Sequence, residues 1–203
     1  MKKYIVEFIG TFFLALVVAL TGNPVAIGGT LVALVYMGGY ISGAHYNPAV
    51  TLGMLLNNKI KSDDALKYIL VQFLGAIAAS YIFFLMKGSM FIPQPGQGIE
   101  MVPALLSEIL FTFLLVFVIL HVAATDKTKG NDYYGLAIGF ALMAGAFAVG
   151  PISGGAFNPA VGIGPLLFDF SHFSTYTTQV ALYFFGPVVG GALAGLLYEQ
   201  IKG

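Results

Sequence analysis

The sequence contains nearly the same twelve residues twice: "SGAHYNPAVTLG" occupies 42–53 and "SGGAFNPAVGIG" occupies 153–164. The two copies are 111 positions apart (158 − 47 = 111), and each is centred on Asn-Pro-Ala. Asn is a favoured N-cap residue and Pro is well tolerated at the first helical position, so each triplet predicts the start of a helix. The apolar run that follows each triplet is only about ten residues long, which is too short to cross a bilayer.

The rest of the chain is apolar enough to cross a membrane several times. Hydrophobic residues make up 58% of the 203 residues and charged residues only 9%, far from the balance of a soluble domain. A spanning helix needs about 20 mostly apolar residues. We predict six such stretches, at 4–21, 25–41, 66–86, 101–123, 133–151 and 177–200. A signal peptide is the alternative for the first stretch, but Glu7 interrupts it and no convincing small-x-small cleavage site follows, so we expect a retained span.

The composition excludes several classes of protein. The chain has no Cys, which excludes disulfides, thiolate catalysis and Cys-ligated metals. It has no Arg and a net charge of zero, so the clustered cations of a nucleic-acid-binding protein are missing. It has no nucleophile motif, no phosphate-binding glycine motif before a Lys and no paired-carboxylate motif. We therefore expect no enzyme, no metal and no cofactor, and a lipid bilayer as the principal partner.

The two short apolar segments admit two interpretations. They are either surface loops with a helical turn, or half-helices that dip into the membrane, which is permitted only where their backbone is buried in protein or lines water. Side chains such as Leu52, Leu55 and Leu167 would be unusual in a solvated loop. We favour two re-entrant half-helices.

The repeat extends beyond the triplets. "VEFIGTFFL" at 6–14 corresponds to "SEILFTFLL" at 107–115, which makes Glu7 and Glu108 counterparts. Each half contains three spans, an odd number, so the second copy enters the membrane from the opposite face. The predicted fold is an all-α membrane protein of six transmembrane helices and two half-helices, one channel domain over 1–203 with inverted repeats at about 1–97 and 98–203.

The lysines predict the orientation. With the N-terminus in the cytoplasm, eight of the nine lysines lie inside and only Lys87 lies outside, as the positive-inside rule requires. We therefore expect both termini to be cytoplasmic and the chain to lie in the plasma membrane.

The two triplets together predict a pore. Two helix starts that meet from opposite sides direct two positive dipole ends, each about half an elementary charge, at one point. If the Asn amides are freed from capping, their NH2 groups become donors in the lumen, and the small residues Gly43-Ala44 and Gly154-Gly155 offer backbone carbonyls as acceptors. Such a ladder suits small neutral hydrogen-bonding molecules and repels cations.

These features resemble the aquaporins, or major intrinsic proteins. The resemblance rests on the paired triplets, on "ISGAHYNPAVT" at 41–51, on Glu-x-x-Gly-Thr at 7–11 and on "GPVVGGALAGLLYE" at 186–199. It implies six tilted helices around a narrow pore, a homotetramer, and passive flow of water and sometimes glycerol. It also implies that Asn47 and Asn158 are the pore donors. The acceptors would be the carbonyls of Gly43, Ala44, His45, Gly154, Gly155 and Ala156.

One position departs from the family pattern. Most members carry Arg directly after the second triplet, as the cationic member of an outer filter, whereas this chain has Val161. By the same pattern the outer filter consists of Ile27, Ala146, Gly155 and Val161. None of these side chains donates a hydrogen bond, so we expect an apolar outer constriction, wider than a strict water filter. The alternative is that another donor lines the mouth or that Phe157 fills the space.

The indications of solute conflict. Glycerol-type members usually carry Asp where this chain has Gly162, and Tyr183-Phe184 is similar to the water-type branch, but a wide filter favours larger solutes. We expect water passage with leakage of glycerol, urea or ammonia. A secondary transporter is one rival, although neither half-helix carries the carboxylate that ion coupling needs. A non-conducting structural membrane protein is the other, because an apolar mouth can dewet.

Two kinds of titratable residue need separate interpretation. Glu7 and Glu108 lie within predicted spans, where a charge is costly and is by default a functional hypothesis. They either reach the bilayer surface or turn inward to accept backbone N–H groups of the dipping loops, and their equivalence in the repeat favours this loop support. His45 either serves a structural hydrogen bond or responds to pH.

Overall fold

The computed structural model describes residues 1–202, and within that range the regular structure is helical. The α-helices are α1 (Lys2–Thr21), α2 (Pro24–Ser42), α3 (Pro48–Leu56), α4 (Ser62–Lys87), α5 (Met101–Ala123), α6 (Tyr134–Ser153), α7 (Pro159–Phe168) and α8 (Thr177–Ile201). Short 3-10 turns cover Asp126–Thr128 and Phe170–Tyr176. Six of the α-helices, all except α3 and α7, are long and apolar enough to span a membrane. The six predicted spans are therefore confirmed, with boundaries that differ by a few residues.

The half-helices α3 and α7 begin at the proline of each triplet. Asn47 and Asn158 are their N-caps, in extended backbone, and Pro48 and Pro159 occupy the first helical position. The helices are 9 and 10 residues long, so neither crosses a bilayer. Most of their residues are buried. The interpretation as solvated surface loops is therefore wrong, because their apolar side chains are enclosed by the spanning helices.

The eight helices form two halves with the same internal order. In the first half α1 packs against α2 and α4, and in the second half α5 packs against α6 and α8. The halves exchange their half-helices: α3 packs against α8 of the other half, and α7 packs against α4. This arrangement is an inverted repeat, and it brings both half-helices into the interior.

Glycines at the helix crossings allow close approach. A Cβ built on Gly75 of α4 would come within 2.6 Å of the carbonyl oxygen of Phe8 in α1. A Cβ built on Gly190 of α8 would come within 2.9 Å of the backbone nitrogen of Phe113 in α5. The two equivalent crossings therefore place backbone against backbone, as small residues permit in membrane bundles.

Each surface of the bundle has a distinct character. Six spans bring both termini to one surface, which we call the terminal surface, and the opposite surface carries the loop at 88–100. The backbone nitrogen of Gly96 in that loop donates to the carbonyl of Ile152, at the end of α6, at 3.1 Å. The loop is thus anchored beside the chain segment that leads into the second triplet.

Candidate pore between the two half-helices

The tips of the two half-helices meet through their asparagines. Nδ2 of Asn47 donates to the carbonyl oxygen of Phe157 at 2.8 Å, and Nδ2 of Asn158 donates to the carbonyl oxygen of Tyr46 at 2.9 Å. Each half-helix is therefore held by the residue that precedes the other triplet. This reciprocal pair of hydrogen bonds connects residues more than a hundred positions apart in sequence.

Each asparagine also caps its own helix. Oδ1 of Asn47 accepts from the nitrogen of Ala49 at 2.8 Å, and Oδ1 of Asn158 accepts from the nitrogen of Ala160 at 3.0 Å. The sequence argument supposed that the asparagine amides would be freed from capping, and the structure differs. Each amide oxygen caps its own helix while the nitrogen of the same amide donates to the other loop. An amide nitrogen carries two hydrogens, so one hydrogen of each asparagine remains available to a molecule in the lumen.

The loops before the triplets expose acceptors and hide donors. Within residues 1–202 every backbone N–H from 43 to 46 and from 154 to 157 has a hydrogen-bond partner. The carbonyls that flank each loop are also occupied, by Tyr68 and Asn158 in the first loop and by Tyr183 and Asn47 in the second. In the same part of the chain no partner is found for the six predicted pore carbonyls, at Gly43, Ala44, His45, Gly154, Gly155 and Ala156.

The carboxylate of Glu7 points inward and accepts hydrogen bonds from the first loop. Its Oε1 accepts from the hydroxyl of Ser42 at 2.6 Å and from the nitrogen of His45 at 2.9 Å. Its Oε2 accepts from the nitrogen of Tyr46 at 2.7 Å and from Nε2 of Gln72 at 2.8 Å. The side chain is fully buried, so these four donors replace water around the carboxylate.

Glu108 makes the equivalent hydrogen bonds in the second half. Its Oε1 accepts from the hydroxyl of Ser153 at 2.7 Å and from the nitrogen of Ala156 at 3.0 Å. Its Oε2 accepts from the nitrogen of Phe157 at 2.7 Å. Like Glu7 it is fully buried, and neither side chain reaches toward the bilayer surface.

The loops bonded to the two glutamates contain unfavourable backbone conformations. Ala44 and Tyr46 in the first loop, and Phe157 in the second, have positive φ values of 52°, 51° and 46°. Such conformations cost non-glycine residues of the order of 1–3 kcal/mol each, so they persist only where the surroundings impose them. The second loop places Gly155, with φ of 66°, at the position that matches Ala44.

Aromatic side chains anchor both loops in the bundle. The ring of Tyr46 is fully buried against Gly10 and Gly38, and its hydroxyl donates to the carbonyl of Leu34 at 2.9 Å. The ring of Phe157 is also fully buried and packs on Phe111, with ring centres 5.9 Å apart. Phe157 is therefore engaged in the core through its ring.

A narrow cavity of about 20 Å³ passes the tips of both half-helices. It holds about one water at a time, since one water needs at least 10–15 Å³ of such volume. The polar side chains on its wall are those of His45, Asn47 and Asn158. The remaining side chains on the wall are apolar: Leu14, Val18, Ile27, Leu31, Ala44, Val50, Leu115, Ile119, Ile138, Leu142, Ala156, Phe157 and Val161.

Three of the four outer-filter positions line this cavity, namely Ile27, Gly155 and Val161. Ala146 is buried but does not line it, and the wall of α6 is formed instead by Ile138 and Leu142. The family spacing placed Ala146 in the outer filter, but its side chain is a single methyl group and does not extend to the cavity. The role of all four residues in a filter stays a prediction.

A wide vestibule opens on the terminal surface. Its volume is about 1140 Å³, and it reaches the narrow cavity at Ala44 and His45, which line both. Lys59, Lys61 and Lys129 lie on its wall. Lys3 also lies there, paired with Asp64 at 2.7 Å. The vestibule and the cavity together form a candidate path from the terminal surface to the triplets.

Sequence reasoning missed the residues that bond to the loops from outside the two twelve-residue motifs. Gln72 bonds Glu7, while the hydroxyls of Tyr68 and Tyr183 donate to Ser42 and Ser153 at 2.7 Å. Gln72 is an isolated amide in an apolar span, a signal that should have marked it as an interior residue. The serines belong to the repeated motif itself, and their equivalence should have marked them as well.

This fold and site define a class of membrane protein: a multi-pass helical bundle with two half-helices whose asparagine-capped ends meet at a narrow cavity. Comparison with known proteins specifies it further. The major intrinsic protein family model matches residues 1–198, and the chain belongs to that family, whose members include aquaporins and glycerol uptake facilitators.

Similar proteins include both of these kinds. The chain is 36% identical over 217 residues to aquaporin NIP1-4 of Oryza sativa subsp. japonica, an alignment that covers 100% of this chain and 77% of that protein. It is 38% identical over 214 residues to glycerol uptake facilitator protein-like 6 of Lactiplantibacillus plantarum, covering 96% and 95%. The X-ray structure of the aquaglyceroporin from Plasmodium falciparum shares the fold, with a TM-score of 0.83, 21% identity, and coverage of 98% and 96%.

Proposed function

We propose that the chain forms a channel for passive passage of water across the membrane, with leakage of small neutral solutes such as glycerol, urea or ammonia. The single observation that carries this proposal is the meeting of the two half-helices at one narrow cavity. The cavity is lined by Asn47 and Asn158, and by four residues whose carbonyls have no partner in residues 1–202, namely Ala44, His45, Gly155 and Ala156. Water can donate to those carbonyls and accept from the amides, so the site replaces the hydrogen bonds that a water molecule loses on entry.

The geometry at the triplets favours neutral solutes over cations. Both half-helix N-termini point toward the asparagines, and each contributes a positive partial charge. Among residues 1–202 no Asp or Glu lines the narrow cavity. A cation would therefore lose its hydration without gaining a counter-charge. The same absence counts against a secondary transporter, which would couple to an ion through such a carboxylate.

The outer filter is where the solute leak would arise. In place of a cation the chain has Val161, which is 3% exposed and belongs to a buried apolar cluster that includes Ala15, Ala76 and Phe83. A filter of apolar side chains lacks the hydrogen-bond donors with which an Arg side chain would bind water, and it lacks the charge that would repel cations. We propose that Ile27, Gly155 and Val161, with Ala146 behind them, exclude solutes by size and by desolvation.

The outside of the bundle and the distribution of lysines support a proposal for assembly and orientation. Apolar side chains such as Phe13, Leu110 and Phe140 are exposed on the outside of the bundle, which suits contact with lipid or with further copies. We propose a homotetramer in the plasma membrane. We also propose that the terminal surface faces the cytoplasm, because that surface carries eight of the nine lysines.

One observation favours a second candidate, a non-conducting structural protein of the same fold. The narrow cavity is only about 20 Å³, and most of its wall is apolar, so it could dewet and close. This candidate and the channel differ in a single measurable property, the water flux of folded protein.

Stopped-flow light scattering of proteoliposomes tests the proposal. Under a sucrose gradient we expect vesicles containing the protein to shrink about tenfold faster than empty vesicles, because a continuous wet path lowers the barrier. Under a glycerol gradient we expect shrinkage followed by reswelling that empty vesicles do not show. No acceleration by folded protein would favour the structural candidate, and water flux without reswelling would remove the leak.

A further inference from the structure

The two halves of the pore differ in the residue that lies two positions before each triplet. His45 precedes the first triplet and lies where the vestibule meets the narrow cavity, whereas the equivalent residue of the second repeat is Ala156. The first half therefore offers a side chain with hydrogen-bonding nitrogens, and the second half offers a methyl group. The function of this imidazole depends on which of its nitrogens carries the proton.

The hydrogen bonds of the neighbouring residues determine which ring nitrogen of His45 carries the proton. The amide Nε2 of Gln72 donates to Oε2 of Glu7 at 2.8 Å and to Oγ1 of Thr51 at 3.1 Å. The opposite orientation of this amide would place its oxygen against a carboxylate oxygen, which is repulsive. Both amide hydrogens are therefore used, one on Glu7 and one on Thr51.

The hydroxyl of Thr51 connects Gln72 to the ring of His45. Its hydroxyl donates to the carbonyl of Asn47 at 3.1 Å, so its single hydrogen is used there. Its oxygen accepts from Gln72 and lies 3.1 Å from Nδ1 of His45. With no hydrogen left to give, Oγ1 can only accept from the ring, so Nδ1 carries the proton and Nε2 is a bare acceptor.

Nε2 faces accessible space. It has no hydrogen-bond partner in the described part of the chain, and it is not fully enclosed by other atoms. It also lies close to Gly43, whose carbonyl is one of the six free acceptors: a Cβ built on Gly43 would lie 3.4 Å from Nε2. The ring thus presents its acceptor nitrogen beside the free carbonyls, at the entrance from the vestibule.

The second half has no equivalent of this chain of hydrogen bonds. Gly162 replaces Thr51 and Tyr183 replaces Gln72 in the repeat register. A Cβ on Gly162 would come within 2.6 Å of the Tyr183 ring, so the missing side chain lets the tyrosine pack against α7. The hydroxyl of Tyr183 donates to Ser153, away from the lumen.

We propose that Thr51 and Gln72 are positioning residues that hold His45 in the Nδ1–H form, so that Nε2 is a neutral hydrogen-bond acceptor at the entrance of the narrow cavity. Water entering from the vestibule then donates to Nε2 beside the free carbonyls of the first loop. Discrimination among polar solutes is thereby placed on the His45 side of the triplets, opposite the apolar filter. The role in permeation rests on the proposed function, whereas the form of the ring does not.

The form of the ring is directly measurable by NMR of protein labelled with 15N-histidine. The chain has three histidines, and a His45→Asn variant identifies the signal of His45 by its loss. We expect a protonated Nδ1 and an unprotonated Nε2 at neutral pH. The same signals are expected in Thr51→Ser, which keeps the oxygen, and a mixture of the two forms in Thr51→Val, which removes it.

Water flux tests the consequence of that arrangement. Thr51→Val is expected to lower the permeability per channel about fivefold, the equivalent of one net hydrogen bond of about 1 kcal/mol. Thr11→Val is the matched control, because Thr11 is also fully buried and donates only to a helix carbonyl. Thr51→Ser and Thr11→Val should keep the flux of the unmodified protein.

A protonated Nε2 in the unmodified protein would overturn the proposal, as would a Thr51→Val variant with unchanged spectrum and flux. If Thr51→Val yields no folded protein, the spectra of the unmodified protein and Thr51→Ser still decide the form of the ring. Absence of flux in the unmodified protein would defeat the proposed function instead, and the spectrum would still report on Thr51 and Gln72.

Discussion

Replacing Glu7 by Leu is expected to reduce the yield of folded protein at least about tenfold, because it strands four donors in the interior. The hydroxyl of Ser42, the nitrogens of His45 and Tyr46 and the amide of Gln72 would all lose their acceptor. Each unsatisfied buried donor costs about 1–3 kcal/mol, so the sum approaches the whole stability of a typical domain. The measurement is the monodisperse peak in size-exclusion chromatography in mild detergent.

Glu108→Leu should behave similarly but less severely, since Glu108 accepts from three donors. The matched control is Glu100→Leu, because Glu100 is exposed just before α5 and its side chain makes no hydrogen bond within residues 1–202. Its yield should equal that of the unmodified protein. Normal yield and normal water flux in Glu7→Leu would show that the carboxylate does not support the loop.

Replacing Val161 by Arg is expected to suppress the glycerol and urea leak about tenfold, a change of about 1.4 kcal/mol in the barrier. Arg would place a cation and several donors at a wall that is now apolar, and it would narrow the cavity between Ile27 and Gly155. Water flux should fall much less, because water is small enough to pass beside the new side chain. Stopped-flow scattering under glycerol, urea and sucrose gradients measures all three rates.

A size-matched variant separates bulk from charge. Val161→Met lengthens the side chain without adding donors or charge, so it should reduce the leak only by narrowing. If Arg and Met suppress the leak equally, the outer filter acts by width alone. Unchanged solute flux in Val161→Arg would mean that residue 161 is not part of the filter.

The topology was predictable from the length and the repetition of the apolar segments. Six long runs and two short ones at equivalent places leave few ways to satisfy a backbone in lipid, and the structure has that arrangement. The inverted relation of the halves followed from counting three spans in each. The meeting of the two helix starts at Asn47 and Asn158 was predicted for the same reason, because they are the ends of equivalent half-helices.

The wall of the pore could not be predicted from hydropathy. Leu14 lines the narrow cavity and is 4% exposed, while its neighbour Phe13 is 49% exposed on the outside of the bundle. Both are apolar, because in a membrane the outside of a bundle is as apolar as its core. The periodicity that distinguishes inside from outside in a soluble helix is therefore weak, and residues such as Leu115 and Leu142 had no distinguishing signal.

Hydrogen-bond partners across the halves were also beyond sequence reasoning. The sequence indicates that Asn47 caps a helix, but its second bond, to Phe157, depends on where the other loop lies. The chain Gln72–Thr51–His45 needs three elements to converge in space. Only the tertiary structure supplies those distances.

The most direct test of the central claim, that water passes between the tips of the half-helices, uses the lack of cysteine in this chain. Val161→Cys introduces a thiol, a soft ligand for mercury, into the wall of the narrow cavity, and Val102→Cys introduces one on the outside, where Val102 is 64% exposed. We predict that mercury reduces the water permeability of Val161→Cys proteoliposomes to that of empty vesicles, reversibly on adding reductant. Val102→Cys and the unmodified protein should be unaffected. Undiminished flux in Val161→Cys protein that mass spectrometry shows to be fully mercury-labelled would contradict the account.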